Sequence, residues 1–176
     1  MHRSVIAWSL AGAVFATAAQ AQTPPAAAPA PVPDQMPFDV PYGAPITVEK
    51  AAKAVAAAVA EATKSPRNWK LAITVVDPNG ELVYFYKMDQ TANGSVAISQ
   101  GKARTATRYK RPSEAFFNAM QTPAGAFIAT LDPGLVASVG GYPLVEDGKI
   151  IGAIGCSGAT GQQDGVACKA GAETIK

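Results

Sequence analysis

Five side chains between Gly94 and Arg111 could grip an anion. Lys102 and Thr105 lie one helical turn apart, and Arg104, Arg108 and Arg111 form a neighbouring stripe. No acidic residue interrupts this stretch. An arginine fork can clamp a carboxylate through two parallel hydrogen bonds, so the segment can bind the carboxylates of a small molecule. The bland alternative is a solvated basic face, or salt bridges to Glu114, Glu146 or another subunit.

The remaining chemistry is narrow. The sole histidine is His2, inside a segment expected to be removed. Without imidazole, Ser-His-Asp and Cys-His catalysis and His-ligated zinc or haem are excluded. Asp132, Glu146, Asp147 and Asp164 are available for a carboxylate-pair hydrolase, but Asp132 and Asp147 stand in turns where Asp is common, and no spacing pairs them. Asp164 reads as a helix cap. Cys156 and Cys168 are twelve residues apart. An even count favours a disulfide in an oxidising compartment, and two buried thiols are the alternative.

Residues 1–21 have the form of a secretory signal peptide. Arg3 lies in a short basic region, an apolar stretch runs from Val5 to Ala19, and Ala19-Gln20-Ala21 gives a small-x-small cleavage site. The apolar stretch is short of the ~20 residues that span a bilayer. The expected location is therefore periplasmic or secreted, with no membrane attachment after cleavage. Losing Arg3 lowers the net charge from +2 to +1, too weak a balance to call for nucleic acid.

Residues 22–45 carry eight prolines and read as an extended, disordered linker whose far end, from Phe38 to Pro45, could dock on the folded domain. That domain is expected over 46–176. Thr47 can cap a helix from Val48 to Lys64, and Pro66 ends it. Leu71–Val76 and Glu81–Tyr86 flank Asp77-Pro78-Asn79-Gly80, a hairpin signal. Ser95–Tyr109 and Glu114–Met120 come next as helices. A short helical turn succeeds them, with Phe127, Ile128 and Leu131 expected to face the core. Tyr142–Val145 and Lys149–Cys156 form a second hairpin around Glu146-Asp147-Gly148, Leu135–Val139 adds a fifth strand, and Asp164–Ile175 is the last helix. Strands arriving as hairpins make the sheet antiparallel, so the class is α+β, with helices covering at least one face.

Two segments stand out together: Lys102-Ala103-x-Thr105-Ala106, and the ribbon Gly140-Gly141-Tyr142-Pro143-Leu144-Val145-x-Asp147-Gly148-x-Ile150-Ile151-Gly152-Ala153-Ile154-Gly155-Cys156-Ser157-Gly158 with Gln163-Asp164 beyond it. Over about residues 46–175 the chain resembles the GlcG/HbpS family, also called haem-degrading-domain-like, which includes the C-terminal domain of PduO proteins. That resemblance implies a five-stranded antiparallel sheet flanked by helices, of profilin-like or PAS-like shape, assembled as a homo-oligomer. Some members bind haem, or corrinoids; others have no settled ligand. Cys156 departs from the family pattern, where an aliphatic residue is expected.

The expected ligand-binding set is Lys102, Thr105, Arg108, Tyr109, Gly140 and Gly141, with haem as the leading cofactor. Its iron would need an unusual ligand, drawn from Met88, Met120, Tyr84, Tyr86, Tyr109, Tyr142, a free cysteine, Lys102 or Thr105. The expected function is an exported protein binding a small anionic ligand, foremost haem or a related tetrapyrrole. The alternative is a non-catalytic oligomeric accessory module for a periplasmic oxidoreductase. An enzyme is the least favoured option, since the imidazole base is missing.

Overall fold

Thr47 starts the domain by accepting a hydrogen bond from the Lys50 amide (3.3 Å), as its position ahead of an apolar stripe predicts. A computed structural model describes Met36 and residues 38–123 and 125–176. The expected signal peptide and most of the linker lie outside the described residues. Among the described residues, no helix is long and apolar enough to cross a membrane.

Helix α1 spans Val48–Thr63 and turns Ala51, Ala54, Val55, Ala58 and Ala62 inward. Strands β1 (Ala72–Val76) and β2 (Leu82–Lys87) form the first hairpin. Its turn is tied by the Asp77 carboxylate, which accepts from the amides of Asn79 (2.8 Å) and Glu81 (3.0 Å). Helix α2 (Gly94–Arg108), the short α3 (Glu114–Met120) and the single-turn α4 (Gly125–Ile128) come after it. Strands β3 (Gly141–Glu146) and β4 (Lys149–Ser157) make the second hairpin, and α5 (Gly161–Ala172) closes the fold.

The sheet is antiparallel with strand order β2-β1-β4-β3. Alternation along the central strands supplies both layers. Ile73, Val75, Ile154 and Cys156 point to one face and pack with α1 and α5, where Ala167 and Cys168 join them. Val76 and Ala153 point to the other, against Ala103 and Ala106 of α2. Gly155 allows that second contact: a Cβ there would lie 2.2 Å from the Ser99 carbonyl oxygen. Cys156 and Cys168 are joined by a disulfide between β4 and α5, with Cα atoms 5.6 Å apart.

Three expectations are corrected. Among the described residues the sheet has four strands, not five. Residues 135–139 run as loop because their polar backbone groups meet partners outside any ladder: the Val136 amide donates to Thr105 Oγ1 (2.9 Å), and Ser113 Oγ donates to the Ser138 carbonyl (2.5 Å). Phe127 and Leu131 do not face the core. α4 is one turn long and packs mainly on α3, leaving them 65% and 48% exposed. The last helix starts at Gly161, three residues early, capped by Thr160 and Gln163 in a reciprocal box. Asp164 thus lies within its first turn.

Candidate functional site

The residues that spacing singled out on α2 diverge once the helix is laid on the sheet. Lys102 points down between α2 and the end of β4. Its ammonium donates to Asp164 Oδ2 (2.8 Å) and to the Cys156 carbonyl (2.9 Å), and the side chains of this pair are 2% and 3% exposed. The Ala159 amide donates to the other Asp164 oxygen (3.0 Å). Burial lifts the Asp164 carboxyl above its usual range, although Lys102 and two backbone amides pull it the other way. Gly140, at φ +118°, closes over the pair. A Cβ there would sit 2.9 Å from Asp164 Cβ and 3.0 Å from the Cys156 carbonyl oxygen. Gly141 lies under α2, its amide donating to Ser113 Oγ (2.9 Å).

Lys102, Gly140 and Gly141 therefore come together in a close-packed junction. Thr105 is buried and bonds the loop at Val136. Arg108 and Tyr109 go elsewhere. Arg108 Nη1 donates to Asp132 Oδ2 (2.5 Å), and the Tyr109 hydroxyl donates to the same oxygen (3.2 Å). The Gly134 amide and the Arg108 guanidinium hold the Asp132 carboxyl below its usual range, while burial and Asp132 push the Tyr109 phenol up.

One open cleft lies on the outer side of α2. This cleft, of about 280 Å³, is walled by Arg104, Thr107 and Arg108, by Pro78, Asn79 and Gly80 of the first hairpin turn, and by Tyr42, Gly43 and Pro45. The third wall is the far end of the proline-rich segment, which docks as a strap. The Ile150 amide donates to the Pro41 carbonyl (2.9 Å), and the Gly43 amide donates to the Ile150 carbonyl (2.8 Å). Tyr42 reaches over the end of α2 and donates its hydroxyl to the Thr107 carbonyl (2.8 Å), which also accepts from the Lys110 amide (3.3 Å) in the last turn of the helix. Its ring carries the Lys110 ammonium (4.8 Å), and Arg111 stacks between Phe38 (3.9 Å) and Phe116 (4.9 Å).

Both arginines of the cleft keep free donors. Arg104 uses its Nε on the Gly80 carbonyl (3.2 Å), and Arg108 uses one Nη on Asp132. Each guanidinium has five N–H bonds, so two forks remain for a ligand. Sequence reasoning missed Tyr42 and gave Asp132 only a turn. An aromatic residue in a proline-rich tail was the one available signal for the former.

The free arginine forks match carboxylates in chemistry, and most of the expected iron ligands are engaged elsewhere. Both cysteines are bonded to each other. Met88 is buried with its sulfur accepting from the Leu71 amide (3.4 Å), and Lys102, Thr105 and Tyr109 are each held by their own partners. Tyr84 and Tyr86 line an apolar groove against α1, away from the arginines. Among the described residues, no cluster of three His, Cys, Asp or Glu side chains could hold a metal.

A four-stranded antiparallel sheet between helical layers, with a cation-walled cleft at the end of one helix, defines a small α+β domain. The chain belongs to the HbpS-like family, described as haem degrading protein HbpS-like, whose model matches residues 46–173. It is similar to protein GlcG of Escherichia coli strain K12, 39% identical over 97 residues, 55% of this chain and 69% of GlcG. The crystal structure of a double mutant of Streptomyces reticuli HbpS superposes with a TM-score of 0.67 at 28% identity, covering 85% of this chain and 99% of that one. A crystal structure of a PduOC:haem complex gives the same TM-score at 22% identity, over 75% and 96% of the two chains, which is a likeness of fold.

Proposed function

We propose that this chain is an exported, oligomeric binding protein that takes a small anionic ligand, with haem the foremost ligand, held by its propionate carboxylates. One observation carries this: Arg104 and Arg108, on successive turns of α2, wall the same cleft with unused donors. Haem is supported by the family description, which names haem degradation. Export is supported by the Cys156–Cys168 disulfide, a bond that persists in oxidising compartments. Assembly is supported by the exposed apolar Phe127 and Leu131 on the α4 side. When bound, haem supplies its own tetrapyrrole chemistry; this chain supplies carboxylate grip and the aromatic ring of Tyr42.

Titration of the mature protein with hemin tests the proposal. The expected result is a Soret shift that saturates at one haem per chain and weakens about tenfold per arginine in Arg104→Ala and Arg108→Ala. A featureless titration refutes haem binding and favours the accessory-module alternative.

A further inference from the structure

The charges around the cleft specify its ligand more narrowly than "anionic". The lining presents two cations, Arg104 and Arg108, and no anion. Behind Arg108 stands Asp132, 2.5 Å away and fixed by the Gly134 amide (2.7 Å) and the Tyr109 hydroxyl. The three groups sum to a single positive charge. Two further cations stand beside the lining without joining it: Lys110 has its ammonium over the Tyr42 ring, and the Lys149 side chain runs against Gly43. The other walls set apolar surface from Tyr42, Pro45 and Pro78 beside polar groups of Asn79 and Thr107. A volume of about 280 Å³ falls at the lower edge of the range for drug-sized ligands, ~300–1,000 Å³.

We propose that the cleft is a socket for one carboxylate borne on a small apolar body, and that Asp132 sets this preference by cancelling one of the two arginine charges. This rests on the cleft being the anion site proposed above, and it narrows the ligand. One carboxylate neutralises the socket, and its planar pair of oxygens matches a guanidinium fork. An inorganic phosphate dianion leaves a negative charge in excess and gives the apolar walls nothing to cover. The same carboxylate chemistry is available from a free monocarboxylic acid and from one propionate arm of haem, whose ring would remain outside the cleft.

Benzoate and inorganic phosphate at pH 8 are the probes, followed through the amide NMR signals of Gly43, Gly80 and Thr107 in the mature protein. Wild type should bind benzoate with a Kd near ~1 mM, and phosphate about tenfold more weakly. Asp132→Asn should narrow that gap to about threefold or less by strengthening phosphate. Arg104→Gln should abolish the benzoate response while circular dichroism stays native. Phosphate binding wild type as tightly as benzoate, a preference unchanged in Asp132→Asn, or no response to either probe overturns the inference. Hemin competition separates the two sources. Benzoate that displaces hemin supports one shared socket. Benzoate binding without any hemin binding supports the free acid and refutes only haem, whereas hemin binding without a benzoate response overturns the socket and leaves the haem proposal standing.

Discussion

Replacing Lys102 by methionine should be among the costliest single changes in the domain, and its cost should depend on pH in a direction the structure fixes. Among the described residues the ammonium is the sole cation bonded to the buried Asp164 carboxylate, and it also serves the Cys156 carbonyl. Removing one partner of such a pair costs about 3–5 kcal/mol, because the other is left buried and charged. Against a total stability of ~5–15 kcal/mol, and with a urea slope of ~2 kcal/mol/M, the midpoint should fall by about 2 M near pH 8. Burial already raises the Asp164 carboxyl, and Lys102 opposes it. Without Lys102 the folded-state pKa rises further above the unfolded value of ~3.9. Between those two values the folded variant holds more proton than the unfolded chain, so its stability increases as pH falls, by up to ~1.4 kcal/mol per unit. The deficit against wild type should therefore narrow from pH 8 towards pH 5. In Lys102→Met/Asp164→Asn no buried charge remains, and more than half the loss should return. Urea titrations read by Trp69 fluorescence measure all of this, since Trp69 packs against the core. A loss below about 1 kcal/mol, or one that is the same at every pH, would refute the reasoning.

Cys156→Ala/Cys168→Ala should lower stability by about 3 kcal/mol, the chain-entropy value for a bridge of this span, checked by urea titration with and without reductant. Gly155→Ala places a Cβ 2.2 Å from the Ser99 carbonyl oxygen and 2.6 Å from the Ala103 amide, so α2 must lift from the sheet. It should cost about 1–3 kcal/mol, seen as a lower Tm. Tyr42→Phe removes the hydroxyl that meets Thr107, loosening the strap by about 1 kcal/mol. Hydrogen exchange at the Gly43 amide should quicken about fivefold while Val75 in β1 stays unchanged.

The local part of the fold was legible in the sequence. Asp77-Pro78-Asn79-Gly80 and Asp147-Gly148 announce their hairpins through turn chemistry, and at the second Asp147 and Gly148 both take positive φ as an Asp-Gly turn requires. Thr160 and Gln163 also carried a visible capping signature, but Asp164 drew the helix start towards itself. The site was less legible, because its bonds run across long separations. Lys102 finds Asp164 62 residues away, and Tyr42 finds Thr107 65 residues away. Nothing in the spacing of α2 says which of its cations turns inward. Leu135–Val139 has the composition of a strand, yet Thr105 and Ser113 supply the bonds that a ladder would have made.

The Lys102–Asp164 contact joins a helix on one side of the sheet to a helix on the other, reaching round the end of β4 beside Gly140. It requires both layers to be in place on the strands, so it is expected to form late in assembly. Interactions absent from the transition state govern how fast a native chain opens, not how fast it forms. The fastening should then act as a kinetic lock: weakening it should shorten the native lifetime and leave the refolding rate almost untouched.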